Sequence, residues 1–323
     1  MGIGGKLRCL GLFAVMASTA GCHAFAPPSD VVETPNPPSV EPNKPSPPPE
    51  PLAPSEASKQ LAVYYQRLQN DLLTQGLLRG DGGGPDTQFT DTQLARNFVR
   101  IALFNEYRDD SDFRNANSTV SKLRRWDDPI RMAVSFGQTV PYAQRDQDIA
   151  SVRSYAARLS RITGVPIKFE DENANFHVFF LGEDDRRAFE PQLRQLIPTI
   201  SDATVRALID LPRDQLCVVI GTFAPGRSHY TKAIAVIRAE HPNLMRSACI
   251  HEELAQGMGL ANDSPSARPS IFNDDEEFAL LTTHDELLLQ MLYDPRLETG
   301  MDPATAAPIA RIIARDLMAQ GAS

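Results

Sequence analysis

The sequence predicts one α+β domain that occupies residues 55–323 and follows a leader and a proline-rich segment. Three observations lead to this prediction. Hydrophobic residues make up 42% of the 323 residues and charged residues 23%, which is ordinary for a soluble globular protein. Segments with the apolar spacing of helices are interleaved with short runs that have the spacing of strands. No repeat of fixed period is visible, so a solenoid or a propeller is not expected.

Helices are predicted where apolar side chains recur every three or four residues, as at Leu61, Tyr64 and Leu68. A glycine-rich turn ends the first helix, Thr90 is placed to cap the second, and Gly164 ends the third. The predicted helices cover residues 55–79, 90–103, 144–163, 184–197, 243–258, 284–293 and 303–319.

Strands are predicted where apolar residues alternate with polar ones or form short continuous runs. Residues 129–136 alternate, with Ile130, Met132 and Val134 on one face. Because helices and strands are interleaved, the predicted class is α+β, with a mixed sheet packed with helices. The predicted strands cover residues 129–136, 165–169, 176–181, 216–220 and 233–238.

The charge balance argues against nucleic acid as a partner. The chain has 32 Lys and Arg against 41 Asp and Glu, for a net charge of −9. Phosphate contacts need clustered basic side chains, which an acidic chain of this kind lacks. The glycine-rich stretch 80–84 follows a helix rather than a strand, so it is a turn and not a phosphate loop. After the leader, no apolar run reaches the roughly 18 residues of a transmembrane helix.

Residues 1–21 have the pattern of a secretory signal peptide. Lys6 and Arg8 precede a short apolar stretch that is followed by small residues. The ending STAGC resembles a bacterial lipobox, in which the cysteine becomes the lipidated first residue of the mature protein. We therefore expect Cys22 to anchor the protein to a membrane, and a plain secretory signal is the alternative.

A proline-rich linker, residues 22–54, follows the signal. Residues 23–54 hold 12 of the 26 prolines, so we expect a disordered, extended spacer rather than part of a core. By resemblance to proteobacterial sorting signals, His23 after the cysteine favours the outer membrane. The expected location is the cell envelope, with the domain facing the periplasm.

Two cysteines, Cys217 and Cys249, remain in the mature domain. Cys9 leaves with the signal peptide, and Cys22 carries the lipid. Export places the remaining pair in an oxidising compartment, which favours a disulfide that closes a loop of about 32 residues. Two buried free thiols are the alternative, and two cysteines alone make a poor zinc site.

The segment ACIHEELAQGMGLAND, residues 248–263, is the most informative for function. His251-Glu252 begins like the metallopeptidase motif H-E-x-x-H, but Ala255 stands where the second histidine is required. On a helical wheel, His251 leans toward the apolar side. The wheel places three polar side chains together on another face, namely Glu252, Glu253 and Gln256.

Shifted by one residue, the segment reads E-E-x-x-Q-x-x-G-x-x-N-D. It resembles the metzincin pattern H-E-x-x-H-x-x-G-x-x-H-D with every metal-binding histidine replaced. The resemblance implies a zincin-like domain in which Glu253 is the candidate general base and Gly259 is the turn glycine, which can adopt positive φ. His251 is a weaker catalytic candidate. The implied metal-ligand positions are Glu252, Gln256 and Asn262, with Asp263 beside them.

These ligand positions do not favour zinc, which prefers histidine nitrogen and cysteine sulfur. One carboxylate and two amide groups are compatible only with a hard divalent cation such as Ca²⁺ or Mn²⁺. The pattern therefore leaves the cofactor unknown.

Three longer stretches carry a closer resemblance. They are IHEELAQGMGL at 250–260, PSIFNDD at 269–275 and HDELLLQMLYDPRL at 284–297. They resemble the proteobacterial family catalogued as domain of unknown function 2927, over most of residues 60–305. Members of that family are described as lipoproteins, in agreement with the leader. The family implies no established activity.

Two functions are compatible with these observations. The first is a membrane-anchored envelope lipoprotein whose degenerate metallopeptidase-like domain has a binding or structural role, with an envelope protein or peptide as its partner. The alternative is an atypical metal-dependent hydrolase or peptidase that uses Glu253 as its general base. A metal site without catalysis is a third reading.

The remaining polar clusters are expected to be structural. His177 lies in a predicted strand and His229 in a loop, and each is expected to be packed or solvated. His284 is expected to have a capping or turn role at the start of its helix. The acidic run 274–277 is expected to be a solvated loop rather than a Ca²⁺ site.

Overall fold

The computed structural model describes residues 50–105, 119–224 and 226–321. The predictions for the signal peptide, for Cys22 and for nearly all of the proline-rich linker concern residues outside these ranges. The helices are α1 (Glu56–Thr74), α2 (Asp91–Ala102), α3 (Tyr142–Thr163), α4 (Glu183–Arg187), α5 (Glu190–Leu196), α6 (Asp202–Ile209), α7 (Asn243–Gly257), α8 (Thr283–Leu292) and α9 (Pro303–Gly321). The strands are β1 (Phe104–Asn105), β2 (Thr119–Val120), β3 (Ile130–Phe136), β4 (Ile167–Phe169), β5 (Phe176–Leu181), β6 (Cys217–Phe223) and β7 (Tyr230–Arg238).

These elements confirm the α+β class and the mixed sheet. Strands β3 to β7 form one sheet in the order β4-β3-β5-β7-β6. Its first four members run parallel, and β6 runs antiparallel to β7 at the edge. Cys217 pairs with Ile237, so β6 begins beside the end of β7. Helix α7 starts a few residues after β7, so this register places Cys217 beside α7.

Both faces of the sheet are covered, because side chains of β5 alternate between two cores. Phe180 belongs to a large core that also contains side chains of α2, α3, α7, α8 and α9. Phe179 and Leu181 belong to a second core, built with α5 and α6 on the opposite face. Near-continuous apolar strands such as β5 are typical of sheets buried on both sides.

The structure differs from the sequence prediction around the second core. One helix was predicted for residues 184–197, but α4 and α5 are separate. Pro191 lacks an N–H, and its ring would clash with the carbonyl four residues earlier, so a continuous helix is disfavoured there. Helix α6 was not predicted. Its start is local, since the Ser201 hydroxyl accepts a hydrogen bond from the Thr204 N–H at 3.0 Å.

The first predicted helix is also too long, because α1 ends at Thr74 rather than at residue 79. Gly76 and Leu78 both have positive φ, at 79° and 57°. Leu78 then donates its N–H to the Glu276 carbonyl at 2.8 Å. The apolar spacing continues past the helix end because these residues pack on another segment. In the part of the chain that the structure describes, no helix is both long and apolar enough to cross a bilayer.

Candidate functional site

Helix α7 carries the candidate site and lies against the sheet beside the edge strand β6. Gly257 marks the face that contacts the sheet, because a Cβ there would come within 2.5 Å of the Phe176 ring. Residues four apart lie on the same helix face, so Glu253 is directed to the same side one turn earlier. Glu253 is accordingly buried, with 3% of its surface exposed. The polar face of the helical wheel thus faces the sheet and its edge strand.

The structure brings two of the predicted residues together with a sulfur atom. One carboxylate oxygen of Glu252, one of Glu253 and the Sγ of Cys217 all lie within 4.8 Å of one another. The Cys217 Sγ is 3.9 Å from Oε2 of Glu252. This sulfur carries no proton to donate, because it is bonded to Cys249. The sequence pattern did not indicate that Cys217 would join the two carboxylates.

The predicted disulfide between Cys217 and Cys249 is confirmed. Its Cα atoms are 5.8 Å apart, within the range usual for a disulfide. It joins the first residue of β6 to the middle of α7, and both cysteines are buried. The bond therefore holds the helix that carries the two glutamates to the sheet edge.

Another predicted ligand position, Asn262, is engaged away from the two glutamates. Asn262 is buried, and its Nδ2 donates to the carbonyl oxygens of Arg100 and Asp263, both at 2.9 Å.

Gly259 has the positive φ that the turn position needs, at 126°. A Cβ at Gly259 would lie 2.2 Å from the Arg124 carbonyl oxygen, so the backbone approach also requires glycine.

The residues at the implied ligand positions do not fit a zinc ion. Glu252 offers a carboxylate, but Gln256 and Asn262 offer amides, which are weak zinc ligands. The Asn262 Nδ2 also donates a hydrogen bond to the Arg100 carbonyl near the end of α2. The assignment of Glu252, Gln256, Asn262 and Asp263 as ligand positions stays a prediction from the sequence pattern, as does the role of Glu253 as a base.

His251 faces away from the two glutamates. Its ring stacks on that of Tyr155 with centroids 3.9 Å apart, and its Nδ1 accepts the Leu281 N–H at 2.9 Å. Burial, assisted by the nearby charge of Arg158, lowers the pKa of His251 to about 3. The imidazole is therefore neutral at neutral pH and acts as a structural acceptor between α3 and the segment before α8.

A buried polar network that the sequence did not indicate lies at the start of α8. Asp285 is fully buried and accepts hydrogen bonds from the Ser270 hydroxyl at 2.6 Å and the Ile271 N–H at 3.1 Å. It also accepts the Thr282 N–H at 3.0 Å and the Thr282 hydroxyl at 2.8 Å. The aspartate thus joins the loop 270–271 to the helix. An Asp three residues after a Thr was the local signal, since this pair forms the cap of α8.

This cap corrects the role expected for His284. The capping residues are Thr282 and Asp285, whereas His284 is a buried residue of the first turn. Its Nε2 lies 3.1 Å from Nδ2 of Asn97 in α2, and its ring packs edge-on against Phe89. His284 therefore links α8 to α2 and to the segment that precedes α2.

The two other histidines considered in the sequence, and the acidic run, contact neighbouring protein groups. His177 is in β5, where burial, with the charge of Lys232, lowers its pKa. The Nδ1 of His229 is 3.7 Å from an oxygen of Asp127. In the acidic run 274–277, Glu277 pairs with Arg79 at 3.0 Å and with Arg268 at 2.6 Å.

A second charged cluster, also not predicted, lies at the carboxyl ends of β5 and β7. Arg238 is buried and donates to the carbonyls of Leu211 and Pro212, both at 2.7 Å. Glu240 accepts the Ser58 hydroxyl at 2.7 Å and the Glu183 N–H at 2.6 Å. The Ser58 contact attaches α1 to the segment that follows β7. Charged residues at or just after the ends of apolar strands were the available signal.

A comparison of the sequence with known families shows the family to which the chain belongs. The sequence model of a family described as "Protein of unknown function (DUF2927)" matches residues 91–312, which is more than half of the chain. The chain belongs to this family. The match runs from α2 into α9, so it includes both cysteines, the glutamates of α7 and Asp285, whereas α1 lies outside it. Neither a curated protein nor a solved structure matches the chain.

Proposed function

We propose that this DUF2927 protein is an exported lipoprotein of the bacterial cell envelope, anchored through Cys22 to the outer membrane and facing the periplasm. Its domain has a degenerate, zincin-like metallopeptidase scaffold and acts by binding an envelope protein or peptide, or as a structural component, rather than by catalysis. The observation that carries the non-catalytic role is the burial of Glu253 beside the disulfide.

The geometry around α7 supports a scaffold over an enzyme. A general base must reach the water that it activates, but Glu253 is directed to the sheet and is nearly inaccessible. The Asn262 Nδ2 donates a hydrogen bond to the Arg100 carbonyl, whereas the metzincin pattern would make this residue a metal ligand. The positive φ of Gly259 and the antiparallel edge strand beside α7 are consistent with a zincin-like ancestry.

The disulfide supports the exported location. Disulfides persist in oxidising compartments and are rare in the reducing cytosol. Together with the lipobox-like ending at Cys22, the buried bridge is consistent with a domain that folds outside the inner membrane.

We expect the wild-type chain to lack peptidase activity that depends on Glu253. The purified protein and its Glu253→Gln variant should release fragments from casein or a mixed peptide library at the same background rate, with Mn²⁺, Ca²⁺ or Zn²⁺ added. The substitution is nearly isosteric and removes only the base. Metal-dependent cleavage by the wild type that Glu253→Gln abolishes would establish the hydrolase alternative.

We expect Cys22 to carry the lipid. Cells grown with an alkyne-labelled fatty acid should label the wild-type protein, whereas Cys22→Ser should lose the label completely, because the acylated atom is its sulfur. Cys9→Ser is the matched control and should stay labelled, since that residue lies within the signal peptide. Equal labelling of Cys22→Ser and the wild type would rule out the anchor.

A further inference from the structure

We propose that Cys217, Cys249, Glu252 and Glu253 form a binding site for one thiophilic divalent cation, of the zinc and cadmium class, whenever the disulfide is reduced. The ion and the disulfide would be alternative links between the same two elements, β6 and α7. This site shares only Glu252 with the ligand positions implied by the metzincin pattern. It does not depend on the proposed envelope function.

The ligand chemistry suits such an ion. Zinc and cadmium bind cysteine thiolates strongly, and carboxylate oxygens complete many of their sites. Two thiolates and two carboxylates supply the four ligands of a tetrahedral ion. Neither sulfur is a ligand while the disulfide is intact, so the oxidised protein has only the two carboxylates to offer.

Three of the four groups, Cys217, Glu252 and Glu253, already lie close to the spacing that an ion requires. Metal–sulfur bonds are about 2.3 Å and metal–oxygen bonds about 2.0–2.2 Å, so ligand atoms around one tetrahedral ion are about 3.3–3.8 Å apart. The Cys217 Sγ is 3.9 Å from Glu252, and these atoms and the Glu253 oxygen lie within 4.8 Å of one another. After reduction, rotation of the cysteine side chains separates the two sulfurs, whose Cα atoms are 5.8 Å apart. Rotation of the glutamate side chains supplies the remaining displacement of about 1 Å toward the spacing of a tetrahedral ion.

A buried histidine next to the sulfurs supports the site independently. His241 is 1% exposed, and its Nδ1 lies 3.7 Å from the Cys249 Sγ. Its Nε2 has no hydrogen-bond partner among the described residues. An N–H of this ring that points at Cys249 would donate to the thiolate that forms on metal binding, as the partners of metal ligands commonly do.

The redox step is balanced by a dithiol reductant. The dithiol supplies two electrons and two protons, the bond between Cys217 and Cys249 breaks, and the reductant becomes a disulfide. Metal binding then displaces both thiol protons to solvent. A folded chain that has not yet been oxidised carries the same two thiols and would offer the same site.

The test compares the oxidised and reduced forms of the purified full chain. After reduction with a phosphine, one Cd²⁺ per chain should bind and give the ultraviolet absorption band of cadmium–thiolate bonds. The oxidised chain should give no band. Zn²⁺ should raise the thermal midpoint of the reduced chain and leave that of the oxidised chain unchanged. Equal behaviour of the two forms, or no binding by a reduced chain with native circular dichroism, would overturn the site.

Variants separate the carboxylates from the cysteines. Replacing Glu252 and Glu253 together by Gln should weaken Cd²⁺ binding to the reduced chain by at least about tenfold, since half of the ligands are lost. The exposed Glu172→Gln is the matched control and should bind as the wild type does. Unchanged affinity in the double variant would show that the two cysteines bind the ion without the carboxylates, and it would refute the site. If reduction unfolds the chain, Zn²⁺ should restore its native circular dichroism, and failure to do so would also refute it.

Discussion

Replacement of both bridge cysteines, as Cys217→Ala with Cys249→Ala, is expected to lower the free energy of unfolding by about 3–4 kcal/mol. The disulfide spans a sequence separation of 32 residues, and the unfolded chain gains the entropy of that loop when the link is removed. The buried position of both residues adds the loss of sulfur packing against the core. Among the described residues β6 is an edge strand of the sheet, so no second strand there compensates for the lost link.

Urea unfolding followed by circular dichroism measures this effect. The wild type treated with a phosphine and a metal chelator is the matched comparison, because it loses the bond while it keeps both sulfurs. It should unfold at a urea concentration well below that of the oxidised wild type and slightly above that of the double variant, which also loses sulfur packing. A variant as stable as the oxidised wild type would mean that the bridge makes no net contribution.

Asp285→Ala is expected to lower the free energy of unfolding by about 3–5 kcal/mol, because it leaves several buried donors without their acceptor. The carboxylate accepts from the Ser270 hydroxyl, the Ile271 N–H and both donors of Thr282. The substitution also removes half of the capping box of α8, in which the Asp285 side chain accepts the Thr282 N–H. The loop 270–271 should then detach from the helix, with faster hydrogen exchange at the Ile271 amide.

Glu286→Ala is the matched control for this experiment, one residue along the same helix. Glu286 pairs with Arg158 at 2.8 Å, and both side chains are about one-third exposed. Partly exposed ion pairs contribute little, so this variant should lose less than about 1 kcal/mol. If thermal or urea unfolding gave the two variants equal losses, the buried network would not be a main source of stability.

Most of the fold could be predicted from local patterns. The apolar spacing within 144–163 and the caps at Thr90 and Gly164 lie within single elements, and α2 and α3 occur where they were predicted. A predicted helix was too long where apolar residues with helical spacing pack against another segment of the chain. Leu78 is an example, because it packs in the core beyond the end of α1. Pro191 was the local signal that should have divided the helix predicted for 184–197.

The candidate site was less predictable, because its geometry depends on contacts between distant segments. The wheel correctly grouped Glu252 with Glu253, since residues of one helix have a fixed relation to each other. It could not show that Gly257 packs on Phe176 and so directs Glu253 to the sheet. The same limit applies to Asp285, whose partners Ser270 and Ile271 come from a loop 15 and 14 residues earlier.

By itself the sequence determined the α+β class, most of the helices and strands, the pairing of the two remaining cysteines and the family resemblance. These properties follow from local periodicity, capping residues, cysteine count and contiguous motifs. Only the tertiary structure decided that the glutamates of α7 face the edge strand and lie beside the disulfide. The register of β6 on β7 places Cys217 there, and register is a property of paired strands that no single segment encodes.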